Sequence, residues 1–296
     1  MPINQLVQFC LDEYKKTGRC VNCKNDCKCL DTDDCYECLK YIHKINTNDR
    51  IYNCPNLIYN YVIKHIYRYS SEIECLFDAY EGFKGCKTFK VCSIGCGPCS
   101  ELFGLKQYIT KNNIQADFEY KGFDTNSYWN VIHHKISEIM GNTISFTNED
   151  VFTYYEQHPD ELPNVLILNY VLSDIVAFNR IGVTDFITNL LNLFEKMPNS
   201  CLIINDINYY EKYTERIGTW RAVNYMNQIF EKLSTNEYFR YYKNKHYFSA
   251  QNGTGLTYGV QHKNKRLTTN IIQKAYLYAP FEYCGSFQLF ILKHKL

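Results

Sequence analysis

From Phe89 onward, five short apolar runs follow one another: FKVCSIG, FEYKGFD, TISFTNED, NVLILNYV and SCLIINDI. Between them lie stretches long enough for a helix, notably CSELFGLKQYITKNN, SYWNVIHHKISEIMG and TDFITNLLNLFEKMP. Strand and helix in alternation leave few folds open. Strands joined by crossover helices lie parallel, and a parallel sheet is covered by helices on both faces. The predicted class is α/β. Upstream, NLIYNYVIKHIYRYSSEIECLFDAYEGF carries apolar residues at helical spacing, Leu57, Tyr61, Ile66, Tyr69 and Ile73 among them, and reads as a helical connection.

A chain of 296 residues with 46% hydrophobic side chains is long enough for one large core with a small appendage. No apolar run approaches the roughly 18 residues that would span a bilayer. The opening MPINQLVQFCLDEYKK has neither the apolar core nor the small-residue cleavage site of a signal peptide. The expectation is a cytoplasmic protein whose fifteen cysteines are thiols or metal ligands rather than disulfides.

Cysteine density divides the chain. Cys20-x2-Cys23 and Cys35-x2-Cys38 form two chelating pairs separated by eleven residues. Thiolates so spaced can close a tetrahedron around Zn2+, which would fold a segment too polar to build its own core. Cys27, Cys29, Cys54 and His43 are available for a second ion. An iron–sulfur cluster is the alternative, although the spacing lacks the C-x3-C-x2-C triplet of radical methyl chemistry. The predicted division is residues 1–87, a Cys-rich metal-binding and helical region, and residues 88–296, the α/β domain.

The first strand runs into Gly95, Cys96 and Gly97, and a helix follows from about Ser100. Glycines in such a turn let a ligand approach the backbone where a β-carbon would obstruct it. Asp124, at the end of the second strand, lies 27 residues beyond Gly97, the right order of separation for a carboxylate that accepts hydrogen bonds from a ribose. Together, CSIGCGPC, the acid in YKGFDTN and the NEDVF that ends the third strand resemble the class I S-adenosylmethionine-dependent methyltransferases. Two places depart from that pattern: Cys99 stands at the third glycine and Ser93 where many members carry an acid. A nicotinamide-dinucleotide enzyme is the rival within the fold, but its third glycine would fall at Ser100.

The resemblance implies a Rossmann-like, mostly parallel, seven-stranded sheet with helices on both faces and an antiparallel closing strand, CGSFQLFILKHKL, paired with EYFRYYKNKHYFSA. It implies an S-adenosyl-L-methionine site lined by Ser93, Gly95, Gly97, Asp124, Thr125, Glu149, Asp150, Val151 and Asn169. Asp124 would hold the ribose, and Asp150 with the Val151 amide the adenine. Tyr170, Ser173 and Asp174, after the fourth strand, are acceptor-pocket candidates, with Tyr170 and Asp174 as catalytic residues. Each acid also suits a turn or N-cap position.

The acceptor is less constrained. LNYVLSDI has neither the N/D-P-P-Y pattern of many amino-methylating nucleic-acid enzymes nor the Pro-Cys pair of cytosine C5 enzymes. From Asn236 onward nine Lys/Arg stand against two acids, about +7, leaving the remainder near −6. Lys243, Lys245, Lys263, Lys265 and Arg266 interleave with Tyr241, Tyr242, Tyr247 and Phe248, as on a surface that contacts phosphates and stacks bases. RNA is the partner this suggests. A protein or small-molecule acceptor, or a non-catalytic cofactor-binding assembly protein, stays open, as does the oligomeric state.

Overall fold

In the computed structural model, which describes residues 2–16, 54–178, 182–207, 221–233, 238–248, 260–262 and 284–295, the strands alternate between two apolar faces. Strand β1 (Thr88–Ile94) sends Phe89 and Val91 into one core and Cys92 and Ile94 into another. Val165 and Ile167 of β4 (Val165–Asn169) join the first core, and Leu166 and Leu168 the second. A strand apolar on both faces must be covered on both, and it is. Helices α1 (Pro2–Lys16), α2 (Pro55–Asp78), α3 (Ser100–Lys111) and α4 (Asn130–Met140) cover the first face. Helices α5 (Val151–Gln157), α6 (Leu172–Phe178), α7 (Val183–Lys196) and α8 (Arg221–Lys232) contribute to the second core.

Strands β2 (Asp117–Phe123), β3 (Ile144–Thr147), β5 (Ser200–Ile207), β6 (Phe239–Phe248), β7 (Val260–His262) and β8 (Ser286–Lys295) complete a sheet of order β3-β2-β1-β4-β5-β8-β6-β7. β3 to β5 are mutually parallel in that order, and β8 runs antiparallel to both β5 and β6. The sheet therefore has eight strands rather than seven, because β7 adds a short parallel pairing outside β6. The α/β class, the parallel core and the antiparallel closing strand are as the sequence predicts.

The described helices of residues 1–87 do not stand apart. Leu6, Cys10, Ile58, Ile66 and Phe77 belong to the same buried cluster as Phe89 and Val91. Cys20, Cys23, Cys27, Cys29, Cys35 and Cys38, the expected zinc ligands, lie outside the described residues. Cys54 precedes α2 in an extended conformation, with Pro55 opening the helix where its missing N–H costs nothing. Among the described residues, no helix is long and apolar enough to cross a membrane.

Candidate active site

Strand order reverses between β1 and β4, the place where open α/β sheets bind ligands beyond the carboxyl ends of the strands. β1 leaves the sheet through Gly95 and Gly97, both with positive φ (+61° and +44°). A β-carbon on Gly95 would lie 2.3 Å from Val171 Cγ2, so this position demands glycine twice, for its dihedral and for its neighbour.

The turn is locked to β2 through Asp124. Gly97 N–H donates to Asp124 Oδ2 (2.8 Å) and Asn126 N–H to Oδ1 (2.9 Å). Burial raises the carboxyl pKa, and these two backbone donors pull against the rise. Each oxygen keeps a further lone pair, so the carboxylate is oriented before any ligand arrives.

Around this pair opens a cavity of about 690 Å³. Gly95, Gly97, Asp124, Thr125, Glu149, Asp150, Val151 and Asn169 all line it, as do Tyr170 and Asp174. Asp150 also caps α5, accepting from Thr153 N–H at 2.9 Å and Thr153 Oγ1 at 3.0 Å. Aromatic walls come from Tyr61, Trp129, Phe152 and Phe186. The described lining carries four carboxylates, on Asp124, Glu149, Asp150 and Asp174, and no lysine or arginine.

Ser93 is the correction. Strand alternation turns it away from the cavity toward α3, where it is fully buried and Oγ donates to Glu101 Oε1 at 2.7 Å. Tyr120 Oη donates to the same oxygen at 2.6 Å, and Asn169 Nδ2 reaches Oε2 at 3.4 Å. Sequence reading passed over Glu101. Its one signal was an acid in the first turn of α3, close enough in the chain to replace the acid missing at Ser93. Burial raises the Glu101 pKa against the hydrogen bonds from Tyr120, Ser93 and Asn169.

Tyr170 is held as a wall. Its backbone has φ +59°, its N–H donates to Asn205 O at 2.7 Å, and its ring stacks on Tyr69 with centroids 3.5 Å apart. The hydroxyl is enclosed, and burial raises its pKa well above the ordinary value, with Arg68 opposing and Glu72 adding to the rise. Such a group keeps its proton at neutral pH. Ser173 does not line the cavity; its N–H donates to Asp206 Oδ2 at 2.8 Å. Asp174, in the first turn of α6, is the carboxylate on the β4 side.

The basic C-terminal surface is only partly within view. Lys243 Nζ donates to the carbonyls of Phe230 (2.7 Å) and Leu233 (2.5 Å), and Lys245 Nζ to Asn227 Oδ1 (2.5 Å). Lys243 thus serves the C-terminal end of α8 and Lys245 a side chain midway along it, while Tyr247 and Phe248 are buried in the sheet. Lys263, Lys265 and Arg266 lie outside the described residues.

No protein-family model matches the sequence, and no curated protein is found as its relative. Among solved structures, the chain is similar to magnesium protoporphyrin IX methyltransferase from Synechocystis PCC 6803 with bound SAM, at 14% identity and TM-score 0.39, covering 87% of this chain and 90% of that one. It is similar to an O-methyltransferase from Bacillus cereus in complex with SAH (8% identity, TM-score 0.39, 75% and 80% covered). The plantazolicin methyltransferase BpumL, with SAH and a substrate analogue, matches at 15% identity and TM-score 0.37, with 82% and 86% covered. All three are S-adenosylmethionine-dependent methyltransferases.

Proposed function

We propose that this chain is a methyltransferase that binds S-adenosyl-L-methionine in the cavity between β1 and β4 and methylates a small acceptor admitted to the same space. The observation that carries the reading is the charge of the described lining: four carboxylates and no Lys or Arg around a glycine turn. A sulfonium ligand is cationic and suits that field; a pyrophosphate or nucleic-acid backbone is repelled by it. The turn amide also distinguishes them. Gly97 N–H, which would otherwise face a phosphate, is already spent on Asp124.

The lining offers groups suited to each part of such a ligand. Asp124, with one lone pair of each oxygen committed to backbone, offers the others to a vicinal diol. Asp150 and Val151 stand at the start of α5, with Glu149 beside them, to border an adenine. When bound, S-adenosylmethionine supplies a methyl group already activated for transfer. What remains for the protein is to align an acceptor, exclude water and receive a proton if the acceptor carries one. Tyr61, Trp129, Phe186 and Tyr170 supply walls that exclude water, and Asp174 is the carboxylate positioned to take a proton.

Calorimetric titration with S-adenosylmethionine tests the first step. Asp124→Ala should weaken binding by about 1.5–3 kcal/mol, roughly ten- to a hundredfold. Undiminished affinity in a folded variant would remove the ribose assignment. Methyl-labelled cofactor, offered with separate pools of small metabolites, protein and RNA, tests the second, with label expected in the small-molecule fraction. Label in RNA that falls when Lys263, Lys265 and Arg266 are replaced by alanine would transfer the reading to an RNA acceptor bound through the C-terminal region. Binding with label transferred to no pool would mark an assembly protein.

A further inference from the structure

Cys96-Gly97-Pro98-Cys99 forms the turn that joins β1 to α3, and its two sulfurs and a ring nitrogen of His133 all lie within 4.8 Å of one another. All three side chains are buried. Cys99 N–H donates to Cys96 O at 2.7 Å, closing a four-residue turn. Such a turn holds its first and last Cα atoms within about 7 Å, near the upper limit of the span a disulfide bridges.

Two chemistries suit two thiols and an imidazole: a thiophilic metal or a dithiol couple. The hydrogen bonds decide between them. His133 Nε2, the nitrogen 3.6 Å from Cys96 Sγ, is also 2.8 Å from the carbonyl oxygen of Gly97. A carbonyl can only accept, so Nε2 carries the hydrogen and has no lone pair to give a metal. We propose that Cys96 and Cys99 are a redox pair, a modification site at which hydrogen peroxide converts the two thiols to an intrachain disulfide.

The residues between the cysteines, Gly97 and Pro98, line the cavity, and the two sulfurs are buried behind them, with Cys99 Sγ donating to Gly97 O at 3.6 Å, so an oxidant that meets them has to be small. The turn sets the two sulfurs side by side with His133, so either can make the first attack. One thiol gives up its proton, its sulfur attacks one oxygen of hydrogen peroxide, the O–O bond breaks, and the departing hydroxide takes up a proton to leave as water. The other sulfur then attacks the sulfenic sulfur, the S–O bond breaks, and a second water leaves with the thiol proton. Two thiols and one peroxide thus give one disulfide and two waters. Because Gly97 N–H is the donor that positions Asp124, closing the disulfide should also disturb the cofactor pocket; this consequence rests on the methyltransferase reading.

The test treats the full chain with hydrogen peroxide, quenches, denatures, alkylates free thiols and digests with trypsin. The fragment Val91–Lys106 contains Cys92, Cys96 and Cys99. After oxidation it should carry a single alkyl group, on Cys92, and have lost two hydrogens; after reduction it should carry three. Cys96→Ser and Cys99→Ser, each verified as folded by circular dichroism, should abolish the loss. Three alkyl groups on the oxidised wild-type fragment, or irreversible oxygen addition without a disulfide, would overturn the proposal. Calorimetry on the same samples should show at least tenfold weaker S-adenosylmethionine binding after oxidation, restored by reductant, and no such change in Cys96→Ser. Mass spectrometry reads the disulfide whether or not the cofactor binds, so failure of the redox pair and failure of the methyltransferase reading are seen separately.

Discussion

Gly95→Ala tests whether the turn after β1 is as tightly determined as its geometry implies. An alanine at φ +61° would occupy the left-handed region, at a cost of about 1–2 kcal/mol. Its Cβ would also meet Val171 Cγ2 at 2.3 Å and Val171 Cβ at 3.1 Å, an overpacking that costs about 1–3 kcal/mol. The expected loss is therefore about 2–5 kcal/mol. These two costs separate in a double-mutant cycle. Val171→Ala removes the 2.3 Å contact and leaves the 3.1 Å one, so the second alanine should cost about 1–2 kcal/mol less in that background than alone. The dihedral cost should persist in both. Urea unfolding of the four proteins, with midpoints compared at a common slope, provides the assay. Additivity within about 0.5 kcal/mol would show that Val171 moves freely aside. A single-mutant cost below about 0.5 kcal/mol would refute the dihedral argument as well.

Glu101, Asp124 and Asp206 all have carboxyl pKa values raised, burial being the largest cause in each. A carboxyl with a raised folded-state pKa binds its proton more tightly in the native chain than in the unfolded one, so ligand-free stability should fall as pH rises from about 4 through the raised values. Urea midpoints over that range should show the decline, and Glu101→Gln should flatten it; a wild-type curve that rises throughout would contradict the assignment. S-adenosylmethionine binding should follow the opposite course, weakening as pH falls through the raised pKa of Asp124, and calorimetry at successive pH values would show it. For the cysteine-rich segment, elemental analysis of protein purified without added metal should find zinc, and iron with visible absorbance would instead indicate a cluster.

What could be read from the chain followed from period and punctuation. SCLIINDI coincides with β5, and the other four runs shift by a few residues at their ends, because a parallel strand apolar on both faces is visible as a continuous run. Gly95, Gly97 and Asp124 were legible because a strand-to-helix turn and an acid at the next strand end are local features. Partners brought together by the sheet were not. Ser93 occupied a motif position, yet its pairing with Glu101, an acid visible in the first turn of α3, takes shape only once α3 is docked on β1. The Tyr69–Tyr170 stack joins residues a hundred positions apart. Lys243 and Lys245 had the spacing of a phosphate-binding face, but that spacing equally describes side chains reaching across to a helix beside the strand. His133 gave no sign in its own segment that it would meet Cys96.

The place of β8 orders the assembly of the chain during synthesis. It is made after β6 and β7 but lies between β5 and β6, where it pairs from Ser286 to Lys293 with β5 and from Phe287 to Lys295 with β6. Until it emerges from the ribosome, β5 is an open edge whose Leu202, Ile203 and Ile204 have no neighbour on that side, and β6 has no strand to join it to the sheet. A nascent chain paused between His262 and Ser286 would thus carry the whole β1–β4 cavity on a half-sheet with a long apolar border. Its hazard is pairing with another such chain, and the interval before β8 arrives is when a chaperone would matter most.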